Sequence, residues 1–196
     1  MRVAVVAVAL SVMGSATEVS AEWHVKPFLG IAFGGGTTFV DVEDAAGSPT
    51  QVLGVSGVLL GDVVGLDIDF SHAPGFFESG DRDLVVHSHV TTLTGSVVVA
   101  LPRHLNEYGL RPYFVGGAGL TRVRIEHRLN VLAVAETVPA IQLGGGVTGF
   151  LADRFGLNWE VRHLRTILGT SVGRGVSFGP EQLSFWRGTM ALVIRY

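Results

Sequence analysis

From residue 22 onward, apolar and polar side chains alternate along the chain with a period of two. Successive side chains of a strand point to opposite faces, so such a run predicts a strand with one greasy and one polar face. Residues 64–71 are the clearest case: Val64, Leu66, Ile68 and Phe70 alternate with Gly65, Asp67, Asp69 and Ser71. In 154–167, Phe155, Leu157, Trp159 and Val161 oppose Asn158, Glu160 and Arg162. In 185–196, Trp186, Met190, Leu192, Ile194 and Tyr196 oppose Arg187, Thr189, Ala191 and Arg195. Comparable runs cover 23–34, 50–61, 87–101, 111–127 and 140–151. In 111–127 the best phase puts Tyr113, Val115, Val123 and Ile125 on the apolar face and Arg122, Arg124 and Glu126 on the polar one.

These eight strands exceed the about 5–6 residues usual in globular sheets and reach the about 9–11 that cross a bilayer at a tilt. The connections alternate in length. Those at 62–63 and 152–153 are short and 102–110 is middling, whereas 35–49, 73–85, 128–139 and 168–184 are longer. Short turns at one end and long loops at the other are the asymmetry of a membrane barrel. Strands can span a bilayer only when the sheet closes, because lipid offers no partner to an edge N–H or C=O. The fold expected is therefore all-β: an eight-stranded antiparallel up-and-down transmembrane β-barrel over residues 22–196, with apolar faces outward and polar faces inward.

The first 21 residues break the period. Met1-Arg2 is a basic start, Val3 to Met13 is almost wholly apolar, and Val19-Ser20-Ala21 suits a cleavage site. We read 1–21 as a cleavable signal peptide. No later stretch nears the ~20 apolar residues of a transmembrane helix.

Composition narrows the function. Of 196 residues, 47% are hydrophobic but only 16% charged, which excludes disorder. A net charge of −3 gives no basic surplus for nucleic acid. Cysteine is absent, removing disulfide scaffolds and thiolate metal sites. Neither a metal nor a cofactor is expected.

Charges within the strands fall on the faces opposite the large apolar side chains. An interior network of Asp67, Asp69, Arg122, Arg124, Glu126, Glu160 and Arg162 is expected, with both signs available for pairing. An eight-stranded barrel is just wide enough for side chains to fill, so a packed polar plug is expected, not an open pore. Gly30, Gly34, Gly54, Gly65, Gly144 and Gly146 fit the inward faces, where they leave room for Arg and aromatic side chains. Trp23, Phe155, Trp159, Trp186 and Tyr196 lie mostly near strand ends, as interface girdles do.

The C-terminal run from Trp186 to Tyr196, with Met190, Leu192, Ile194 and Tyr196 in alternate positions, resembles the last strand of bacterial outer-membrane proteins. Val64-Gly-Leu-Asp-Ile-Asp-Phe70 and Arg111-Pro-Tyr-Phe-Val-Gly-Gly-Ala-Gly-Leu120 resemble the small OmpA-type outer-membrane β-barrel domains. The resemblance spans nearly all of 22–196. It implies a place in the Gram-negative outer membrane, contact with its lipid, and recognition of Met190, Leu192, Ile194 and Tyr196 by the barrel-assembly machinery.

Some barrels of this size modify lipid A. Here His163, Ser171 and Glu160 are the nearest candidates for a deacylase triad, but the His-x-Ser-Asn arrangement associated with that family is missing and His163 falls on the apolar phase. His72, His87 and His89 fall near two strand ends and read as solvent-exposed loop-end histidines in preference to metal ligands. The Gly34-Gly35-Gly36 and Gly144-Gly145-Gly146 runs lack the Lys-Ser/Thr of a phosphate loop. The function expected is structural or surface contact through the outer loops — envelope integrity, adhesion or contact with host or environment — without catalysis and with an unassigned extracellular partner. The alternatives are a small solute channel, a lipid A-modifying enzyme and a periplasmic ligand-holding barrel.

Overall fold

In the computed structural model, the strongest alternation makes the most regular strand. In β3 (Val64–Pro74), Val64, Leu66, Ile68 and Phe70 are exposed while Gly65, Asp67, Asp69 and Ser71 are buried. The other strands are β1 (Glu22–Thr37), β2 (Thr50–Leu60), β4 (Val85–Ala100), β5 (Leu110–His127), β6 (Val134–Phe150), β7 (Phe155–Thr166) and β8 (Leu183–Arg195). The structure describes residues 21–37, 49–76, 85–102, 104, 109–127, 134–167 and 183–196. Residues 1–20 of the expected signal peptide lie outside that set.

Each strand pairs antiparallel with the next, and β1 pairs with β8, closing the barrel. Closure gives every spanning strand two hydrogen-bonded neighbours, as a bilayer requires. The inner end is the one with short turns; there Gly61 N–H donates to Val64 C=O at 3.0 Å and Leu151 N–H to Phe155 C=O at 3.0 Å. The outer end carries the long connections. One bulge shifts the β1–β8 register between Phe33 and Gly36. Gly34 lies there, exposed and with φ +61°, so it does not line the interior as expected.

The exterior is a band of large apolar side chains: Leu29, Ile68, Phe114 and Leu143 are each 65–75% exposed. A continuous apolar wall of this kind is covered by lipid or by another protein. Trp23, Phe155 and Tyr196 sit at the inner end, Trp186 toward the outer end, and Trp159 within the band.

The interior is layered, not uniformly polar. Near the outer end Phe28, Ala32, Val52, Val90, Val123, Leu164, Leu183 and Phe185 form one apolar cluster, with Phe76 set edge-on to Phe185 at 5.0 Å. Near the inner end Val58, Leu60, Val98, Ala100, Tyr113 and Val115 form a second. The buried charges lie between them. The expected polar plug is thus one layer of three.

The expected phase of the fifth strand is inverted. Tyr113, Val115 and Val123 are buried inside, and Arg122 and Arg124 are exposed on the outer wall. Both arginines stand above the apolar band, beyond Leu120, where an outward charge meets headgroups and water instead of hydrocarbon. There a charged side chain no longer marks the inward face. The side chains of Ile125 and Glu126 lie outside the described residues.

Candidate functional site

The middle layer gathers ionised side chains from four strands. β3 supplies Asp67 and Asp69, β7 supplies Glu160 and Arg162, β8 supplies Arg187 and β1 supplies Lys26. Alternation aims each inward, because its strand neighbours Ile68, Val161, Trp186 and Val25 are exposed on the wall.

Arg162 is the hub and only 1% exposed. Its Nη2 donates to Asp67 Oδ2 at 2.6 Å and to Glu160 Oε2 at 2.9 Å, and its Nε donates to Glu160 Oε1. Its Nη1 faces Asp69 Oδ2 at 3.8 Å. Arg187 grips Asp69 with both terminal nitrogens, Nη1 to Oδ1 at 2.8 Å and Nη2 to Oδ2 at 3.0 Å. That bidentate fork is the strong geometry for an Arg–carboxylate pair. Lys26 Nζ lies 3.9 Å from Glu160 Oε2 and 5.3 Å from the Tyr113 ring centre. Three carboxylates and three cations make the layer formally neutral. Isolated charges here would carry a desolvation cost of several kcal/mol each, so neutrality of the layer favours the folded barrel.

Neutral groups complete the shell. Tyr113 Oη donates to Glu160 Oε2 at 2.5 Å and accepts from Asn158 Nδ2 at 2.9 Å. Ser56 Oγ donates to Asp67 Oδ1. Gln142 Nε2 donates to Thr94 and Ser96 hydroxyls at 2.8 and 2.6 Å. Two glycines make this packing possible. A Cβ at Gly144 would lie 2.8 Å from Arg162 Cγ, and one at Gly146 would lie 2.7 Å from the Tyr113 hydroxyl.

Of the seven residues expected in an interior network, the structure brings together Asp67, Asp69, Glu160 and Arg162, and puts Arg122 and Arg124 outside. Lys26, Tyr113, Asn158 and Arg187 join the four. Arg187 and Lys26 carried a signal, since both occupy polar phases. Tyr113 carried none, because its ring suits either face.

The other candidates separate. His163 faces outward, its Nε2 3.0 Å from Ser184 Oγ and its ring 4.8 Å from that of Trp186, whereas Glu160 faces inward. Ser171 lies outside the described residues. The His72 and His89 rings are 5.4 Å apart, and the His87 side chain lies outside the described residues. Met190, Leu192 and Tyr196 are exposed on the wall and Ile194 is partly so.

A closed wall with a greasy exterior and sealed-in charges is a barrel turned inside out relative to water-soluble ones. The fold is that of the small eight-stranded outer-membrane barrels. OprG of Pseudomonas aeruginosa superposes with a TM-score of 0.60 at 10% identity, covering 91% of this chain and 97% of its own. Neisserial surface protein A gives 0.58 at 9% identity, covering 87% and 95%. Ail, the attachment invasion locus protein of Yersinia pestis, solved with the heparin analogue sucrose octasulfate, gives 0.52 at 10% identity, covering 89% and 99%. No protein-family model and no curated protein matches the sequence.

Proposed function

We propose that this chain is an exported outer-membrane barrel whose role is structural or surface contact through its outer connections, without catalysis. One observation carries the reading: an apolar lipid-facing wall encloses a neutral charge layer held between two apolar clusters. Among the described residues, the charges of this layer are paired mainly with one another. Function then falls to the connections at the outer end, segments on a rigid scaffold where recognition usually resides. Adhesion of the kind named for Ail fits that arrangement. Met190, Leu192, Ile194 and Tyr196 would be the alternate positions that the assembly machinery reads.

The sealed interior separates this reading from a solute channel. In planar bilayers the purified full chain is expected to stay silent, with no steady conductance above that of protein-free membrane. Steady ion flow through the wild-type chain overturns the sealed reading. Recovery of the native protein from the soluble periplasm overturns the membrane reading itself.

A further inference from the structure

On β5, Arg122 and Arg124 occupy alternate positions and therefore share the outward face. The register puts Arg122 opposite Thr91 and Arg124 opposite His89 on β4, and His72 of β3 opposite Thr91. His72 Nδ1 lies 2.9 Å from Thr91 Oγ1, and the His72 and His89 rings are 5.4 Å apart. Two guanidiniums, two imidazoles and a hydroxyl thus form one patch across three strands. Directly beneath it the wall turns apolar, with Phe70, Leu93 and Leu120 half-exposed.

Among the described side chains, the outward-facing charges at the outer end are the arginines Arg122, Arg124 and Arg165, while the inner end mixes Glu22, Asp62 and Asp153 with Arg154 and Arg195. Glu126, the next residue in that phase of β5, has its side chain outside the described residues. The interior layer is neutral by itself and offers the patch no compensation.

We propose that this patch binds a phosphate monoester on a glycolipid of the outer leaflet. The inference rests on the outer-membrane reading above, which sets this end in that leaflet. Alternate residues on one strand face are about 6–7 Å apart, so two guanidinium forks can close on one phosphoryl group. A monoester carries between one and two negative charges near pH 7, a better match for two adjacent guanidiniums than the single charge of a phosphodiester. Thr91 and the imidazoles add donors on the same side, and the apolar residues below lie at the depth of the acyl chains.

The test uses the full chain in phosphatidylcholine vesicles doped with bis-phosphorylated lipid A, fully dephosphorylated lipid A or phosphatidylglycerol. Insertion is read from heat-dependent electrophoretic mobility, and lipid retained through detergent purification is counted by mass spectrometry. Retention of bis-phosphorylated lipid A is expected to exceed that of the dephosphorylated form by about tenfold. The Arg122→Gln/Arg124→Gln double variant should lose that preference, the double Lys variant should keep part of it, and Arg195→Gln should keep all of it. Equal retention of the two lipid A forms, an unchanged double Gln variant, or phosphatidylglycerol held as tightly overturns the proposal. A chain that does not insert removes the outer-membrane reading and the patch together; an inserted chain without preference removes the patch alone.

Discussion

At the scale of single residues, the same side-chain type has opposite consequences on the two sides of the wall. Arg162 is enclosed by Asp67, Asp69 and Glu160. Replacing it with Met leaves three carboxylates buried with only Arg187 and Lys26 to answer them. Breaking a buried pair this way costs about 3–5 kcal/mol. Arg122 is exposed, and Arg122→Gln is expected to stay within about 0.5 kcal/mol of wild type. Urea titration in vesicles, followed by electrophoretic mobility, would compare the two. Equal midpoints for Arg162→Met and wild type would mean that the charge layer contributes nothing to stability. The difference was not legible from residue type, only from strand phase and height within the bilayer.

At the scale of the strand, phase was easiest to see where charge or glycine alternates with branched apolar residues through the middle of the run. In β3 and β7 the charges sit at mid-strand, where an outward carboxylate would face hydrocarbon, so the sequence leaves a single solution. β5 lacks that constraint. Its charges lie near the outer end, its middle is Gly116-Gly117-Ala118-Gly119, and both of its faces carry apolar residues. Two phases fit the sequence, and the one chosen by filling the barrel puts Tyr113 beside Glu160 and Phe114 on the wall. Partners were less legible still. Arg187 and Asp69 meet across 118 residues, a contact set by closure of the sheet and not by any local spacing. The observed phase makes a sharp expectation. Phe114→Arg places a charge in the lipid-facing band and should destabilise the inserted barrel by up to about 2–4 kcal/mol, depending on depth, while Arg124→Leu should cost little. If refolding in vesicles shows the reverse order, β5 faces the other way.

For the whole molecule, the three interior layers act in series, and that arrangement separates stability from sealing. Each apolar cluster, and the charge layer while its guanidiniums and carboxylates hold one another, is expected to exclude hydrated ions by itself. Removing one layer should therefore weaken the barrel without opening it. Phe76→Ala with Phe185→Ala trims the outer cluster, at about 3–5 kcal/mol for each fully buried ring. Asp69→Asn with Arg187→Gln removes one ion pair from the middle and keeps the layer neutral. Each double variant, inserted in a planar bilayer and checked for folding by its electrophoretic shift, is expected to stay silent. Combining them still leaves Tyr113, Val58 and Val98 across the inner end, so the quadruple variant should conduct at most intermittently, as those side chains fluctuate. Adding Tyr113→Ala removes the large ring of the inner cluster and frees Glu160 from its phenol partner, and steady conductance is expected only then. Steady current through either double variant would show that one layer alone forms the seal.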